Sequence, residues 1–114
     1  MIGGGYFTTI FPLIKNAELW FKSSTLEDGP HGGEVTVWSG SDYTEAYKEP
    51  FSSALALQEY GLQLDCQDRI FCRPNDSLVE GVGAYLTNRE GEPDYIVVSV
   101  TPWPEHYECL LRRR

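Results

Sequence analysis

Asp94–Arg112 reads DYIVVSVTPWPEHYECLLR, and this stretch decides the fold. Ile96, Val97, Val98 and Val100 form a β-branched run too short to make a convincing helix. Thr101-Pro102-Trp103-Pro104 then stops any ladder, because proline has no amide hydrogen and fixes its own φ. Beyond the break, Tyr107, Cys109 and Leu111 alternate with His106, Glu108 and Arg112. A period of two puts one face inside and the other in water. The stretch is therefore expected to be a terminal strand–turn–strand hairpin. Trp103 folds back over its end, and other segments pair with it.

Working towards the N-terminus, Asn88–Asp94 contains Gly91 and Pro93 and reads as a turn. Leu78–Leu86 is ambiguous, with Gly81 and Gly83 hinting at a bend or bulge. Pro74-Asn75-Asp76 is a turn. Ile70 and Cys72 continue an apolar stripe begun by Leu62, Leu64 and Cys66, with Asp68 breaking it and Arg69, Phe71 and Arg73 opposite. Ser53 is placed to cap a short helix through Tyr60 that Gly61 closes. Ala54–Leu57 also alternates, so a strand there is the alternative. Ser39–Pro50 is polar, weakly periodic and read as a long loop; it holds Asp42, Tyr43, Glu45, Tyr47, Lys48 and Glu49.

Ala17–Lys22 and Glu34–Trp38 alternate as strands joined by turn-rich Ser23–Gly33, with Asp28-Gly29 and Gly32-Gly33. Met1–Ile14 opens with Gly3-Gly4-Gly5, then Tyr6, Phe7, Ile10 and Phe11. It reads as an arm with apolar anchors, either a strap over its own core or an appendage docking on a neighbour. It is no phosphate loop, because the lysine and hydroxyl residue that complete one are missing. Residues 15–114 are expected to form one domain.

Composition agrees. A chain of 114 residues with 41% hydrophobic and 13% aromatic content can bury a core, and eleven glycines with seven prolines favour a turn-rich β fold. The net charge of −8 leaves no basic surplus to grip a nucleic-acid backbone. DNA passing nearby is tolerated, since like charges repel. No basic-then-apolar leader opens the sequence, so no signal peptide is expected. No window is apolar for long enough to cross a bilayer, so no membrane partner is expected. Cys66, Cys72 and Cys109 form no CxxC pair and read as buried reduced thiols.

Chemistry is sparse. His31 lies in a turn and His106 follows Glu105; no HxH, HExxH or paired-cysteine spacing offers a metal site. The cysteines fall on apolar stripes or among carboxylates, which suits no Cys–His nucleophile, and there is no GxSxG elbow. Glu27, Asp28, Glu45, Glu49, Glu90 and Glu92 read as a solvated acidic surface. Trp20, Trp38 and Trp103 are core or rim residues, and Trp is favoured at interface hot spots. No catalytic residue, metal or cofactor is expected, and assembly suits the chain better than catalysis.

Four stretches together carry a resemblance: Pro50–Gly61 (PFSSALALQEYG), Asp68–Arg73 (DRIFCR), Asp94–Val100 (DYIVVSV) and Trp103–Leu111 (WPEHYECLL). In this order and spacing they resemble the tailed-phage head-closure proteins, also called head–tail joining or stopper proteins. Ala17–Trp38 agrees in character only. The Gly-rich aromatic N-terminus and acidic Ser39–Glu49 depart from the pattern.

The resemblance implies a mainly β fold, a small antiparallel barrel or sandwich with one short helix and a long loop. It implies a virion protein of the phage neck, made in the host cytoplasm. Copies of the chain would form a ring, commonly about six or twelve of them. That ring would sit below the portal adaptor, close the packaged head, and meet a tail terminator or tail tube protein. The loop after the second strand, carried over as Ser39–Ser53, would face the channel, so Asp42, Glu45 and Glu49 are its expected lining. DNA would slide past these acids unbound. Tyr6, Phe7 and Phe11 are expected to pack on a neighbour. Arg112-Arg113-Arg114 reads as a solvated tail that pairs with acids of an adjacent copy. A tail-terminator or tail-completion ring is the related alternative. An acidic phage-encoded inhibitor of a host nuclease is the alternative from another class.

Overall fold

The computed structural model describes residues 15–114. The expectations for the arm and for Tyr6, Phe7 and Phe11 lie outside the described residues. The elements are β1 (Ala17–Asp28), β2 (Glu34–Pro50), α1 (Ser53–Tyr60), β3 (Asp68–Cys72), β4 (Gly83–Tyr85), β5 (Tyr95–Pro102) and β6 (Tyr107–Arg113). The strands close a barrel in the order β1-β2-β3-β6-β5-β4, every neighbouring pair antiparallel. The expected mainly β barrel is the fold observed, with one short helix among the described residues. Closure pairs every strand on both sides within the barrel, so the body has no open edge.

The terminal hairpin forms as read. Pro102 pairs opposite Tyr107, and there the ladder ends. Trp103 sits at the tip, its ring stacked on His106 with centroids 6.3 Å apart. One part of that reading is corrected. His106 was expected on the wet face but is buried, and so is Leu110. Leu111 points into the barrel while Leu110 points out of it, under α1. An extra residue, Val98, bulges β5 between Val97 and Ser99 and packs on the same outer layer. The molecule thus has two cores. Leu19, Phe21, Ala46, Ile70, Cys72, Val97, Cys109 and Leu111 fill the barrel. Phe51, Ala56, Cys66 and Leu110 lie between α1 and the barrel wall.

The helix is capped by Ser52, whose Oγ accepts a hydrogen bond from the Leu55 amide at 3.2 Å. Ser53, the expected cap, instead uses its hydroxyl to hold the Cys66 amide at 3.1 Å. Gly61, at φ 70°, closes the helix with its N–H on the Leu57 carbonyl. Over Leu62–Cys66 the apolar stripe alternates in burial as read, but the segment is not a strand. Asp68 does not break the stripe. It is the first residue of β3, points inward, and is 1% exposed.

The largest correction concerns Ser39–Pro50, expected as a long loop and found as the greater part of β2. Ser23–Asp28, expected as turn, likewise continues β1. The turn shrinks to residues 29–33, closed by the Gly29 amide on the Gly33 carbonyl at 2.8 Å. Gly32 and Gly33 both take positive φ there, which only glycine does cheaply. The result is a two-stranded ribbon, paired from Ser23↔Ser39 to Asp28↔Glu34, that outruns the barrel. Between Phe21↔Asp42 and Ser23↔Ser39 the register slips by one residue on β2, with Gly40 at φ 74°. Such a bulge bends its strand, so ribbon and barrel meet at Gly40.

Candidate functional site

The ribbon is the feature that the barrel does not need. Ser23–Asp28 and Glu34–Thr36 are all exposed, including Leu26 at 66% and Val35 at 43%. No lysine or arginine occurs between Lys22 and Lys48, while Glu27, Asp28, Glu34, Asp42 and Glu45 do. The molecule measures 54 × 28 × 21 Å, elongated for its size. A lone two-stranded hairpin is marginal in water. This one is held at its root. The Trp38 ring lies against Gly83 and Pro93, with the Arg114 guanidinium 5.9 Å from its centre. Lys22, buried beside it, donates to the Arg89 carbonyl and lies over the Tyr85 ring at 4.9 Å.

The three acids expected to line a channel do not converge. Asp42 sits at the Gly40 bend, where its carboxylate accepts from the Tyr43 amide at 2.8 Å. The Ser77 hydroxyl and that amide hold its carboxyl below the usual range. Glu45 stands on the other face of β2 and is paired with Lys15. Glu49 shares that outer face but accepts from Arg69 Nη2 at 2.7 Å and Nε at 3.0 Å. Two of the three are neutralised within the chain. The acidity left uncompensated lies further out, on the ribbon.

The basic end is no tail. Arg112 and Arg113 are residues of β6, and the Arg114 amide binds the Asp94 carbonyl at 3.1 Å. Their pairs lie within the chain: Arg113 Nε reaches Asp68 at 3.0 Å and Arg114 reaches Glu92 at 2.7 Å. Asp68 needs that partner, since an inward carboxylate in a barrel is costly alone. Arg112 is exposed on the outer face that carries Leu110.

A polar network that the sequence does not announce binds α1 to the barrel. Arg69 lies between the Phe51 and Phe71 rings, 4.2 and 4.7 Å from their centres. It donates to Glu49, to Glu59 at 2.9 Å and to the Tyr60 hydroxyl at 3.1 Å. Tyr60 donates to Glu108, whose other oxygen meets His106 Nε2 at 2.9 Å. Burial first, and then Glu108, push the Tyr60 hydroxyl well above its ordinary pKa. A strand arginine with acids on three other elements leaves no local spacing to find. This network ties elements together and holds no exposed nucleophile.

The three cysteines are buried and unbridged, as expected. Among the described residues no three His, Cys, Asp or Glu side chains gather to hold a metal ion. None of the described helices is long and apolar enough to cross a membrane. The clefts are shallow and open. One of about 660 Å³ runs beside the start of α1, between Pro50, Phe51, Leu55, Cys66 and Arg113.

No family model and no curated protein matches this sequence. Among solved structures, the chain is similar to the solution structure of protein SF1141 from Shigella flexneri 2a, with a TM-score of 0.63. The match covers 87% of this chain and 92% of that one at 13% identity, so it shows a shared fold and nothing further.

Proposed function

We propose that this chain is a structural protein of the tailed-phage neck, forming a ring that closes the DNA-filled head and joins it to the tail. One observation carries the reading most directly. A barrel closed on itself bears an exposed, acidic two-stranded ribbon with Leu26 and Val35 bare at its end. Such a ribbon is marginal in water and gains its stability against a partner. A contact between unlike surfaces of identical copies closes into a ring when its rotation permits. The net charge of −8 suits a channel past which DNA slides. The eight-residue helix favours head closure over a tail terminator, for which a longer helix packed on the sheet is expected.

Image averaging of purified virions tests the proposal. The expected result is a ring of this chain between head and tail, with the portal adaptor above and a tail protein below. Its absence from finished particles, together with tight binding to a host nuclease, overturns the neck reading in favour of the inhibitor.

A further inference from the structure

We propose that the arm segment Tyr6–Phe11 of one copy adds as a third strand to the ribbon of a second copy, along the edge of β2 from Glu34 to Ser39. The inference rests on the assembly reading and names the two surfaces that meet.

The edge follows from the register. β1 pairs with β2 from Glu34 to Ala46, but β3 joins β2 only from Ala46 to Pro50. Among the described residues no strand lies on that side of β2 ahead of Ala46. In an antiparallel pair every second residue turns its N–H and C=O away from its partner, so Glu34–Ser39 presents a row of these groups outward. Edges are ordinarily guarded by lysine, proline or a bulge. Val35-Thr36-Val37-Trp38 holds no lysine or proline, and the bulge at Gly40 comes only after it. The other side of the ribbon differs, because that stretch of β1 ends in Glu27-Asp28. The β2 edge is thus a template for another extended chain.

The arm has the chemistry of that chain. Gly5 and Pro12 bracket Tyr6-Phe7-Thr8-Thr9-Ile10-Phe11, six residues against the six of the edge. Each run is about 20 Å long when extended. The segment is wholly aromatic and β-branched, which suits a pleated strand. Charge agrees. Met1–Ile14 holds no acid, while the ribbon holds Glu27, Asp28 and Glu34 with no lysine or arginine. An acid-free strand sets no like charge beside them.

Reach assigns the arm to a different copy. Lys15, paired with Glu45, marks where the arm leaves the barrel. From there to Ser39 is roughly 20 Å along β2. The four residues from Lys15 to Phe11 span about 14 Å at most. A chain therefore cannot lay the whole segment along its own edge. Arm and edge are different surfaces, so each copy gives one and receives one, the heterologous contact from which rings close.

Cross-linking tests this, since the three native thiols are buried. Thr8→Cys and Thr36→Cys chains, each confirmed to melt like the wild type, are mixed in equal amounts and treated with bismaleimidoethane. The expected product is the mixed 8–36 dimer, several-fold over either homodimer. The doubly substituted chain should give a ladder that ends at a closed ring. Hydrogen exchange gives a second readout. Amides of Val35–Trp38 should gain protection as the wild-type chain is concentrated, and gain none in Thr8→Pro, which removes an amide from the arm alone. A predominance of 36–36 dimers sets ribbon against ribbon and overturns the proposal. So does an internal 8–36 link in the doubly substituted chain at high dilution, or a mixed pair no more abundant than the homodimers. The neck reading fails separately, by absence of the chain from virions. A virion ring without the 8–36 link leaves that reading standing and removes this one.

Discussion

The Trp38 ring rests on the backbone of Gly83 so closely that a Cβ at position 83 would stand 2.9 Å from Trp38 Cζ3 and 2.8 Å from the Pro93 Cβ. Trp38 belongs to the ribbon, and Gly83 to the short strand that closes the barrel. The contact sets where the ribbon leaves the body. Gly83→Ala must displace either the indole or a rigid proline ring, and it should cost about 1–3 kcal/mol. Thermal melting measures the loss, and near-UV circular dichroism should show the tryptophan environment changed. An unaltered melt and spectrum would contradict this packing.

Within the basic end, neighbours should differ sharply. Arg113→Ala strips a buried carboxylate of its closest cation, leaving only Lys48 at 3.9 Å, and should cost roughly 2 kcal/mol. Arg112→Ala, at an exposed position, should stay within about 0.5 kcal/mol. Denaturant unfolding of the pair checks this, and equal losses would mean that Asp68 does not depend on Arg113.

Arg69 should tolerate no conservative change. Its planar group stacks between Phe51 and Phe71 while donating to Glu49, Glu59 and Tyr60, which an ammonium cannot reproduce. Arg69→Lys should cost roughly 2 kcal/mol and Arg69→Ala about 3. Unfolding midpoints measure both. A lysine variant as stable as the wild type would show that charge alone is needed.

Stability should decline in alkali. Burial raises the hydroxyl pKa of Tyr60 and of Tyr85 above the ordinary value of 10.0. A raised folded pKa means that the contribution is complete below the unfolded value and is lost as pH rises towards the folded one. The melting temperature should therefore fall as pH climbs past 10. Tyr60→Phe should be less stable at neutral pH, having lost its bond to Glu108, yet show a shallower alkaline decline. The same slope in both proteins would exclude Tyr60 as a source.

In the isolated chain, ribbon amides between Ser24 and Val37 should exchange with solvent far faster than those of β5 and β6. They are shielded only by each other. Hydrogen exchange read by NMR shows this directly, and in the assembled particle the same amides should become protected. Equal protection of ribbon and barrel in the monomer would remove the case for a partner.

Sequence alone determined the parts whose burial is local. Val97 and the alternation around Cys109 announced the terminal hairpin, Gly61 the end of the helix, and Gly32-Gly33 the tip of the β1–β2 turn. Each is a single strand facing one core, or a backbone angle that only certain residues accept. Tertiary structure decided the rest. Ser23–Asp28 and Ser39–Tyr43 bury neither face, so no apolar stripe marked them as strands, and only their mutual pairing makes them so. Leu110 joined what read as the wet face because a helix fifty residues earlier in the chain lies over it. Asp68 appeared to break a stripe until the ring of strands brought Arg113 to it. Period two reports one core per strand, and a barrel with a second core on its outer wall has more to bury than that signal can carry.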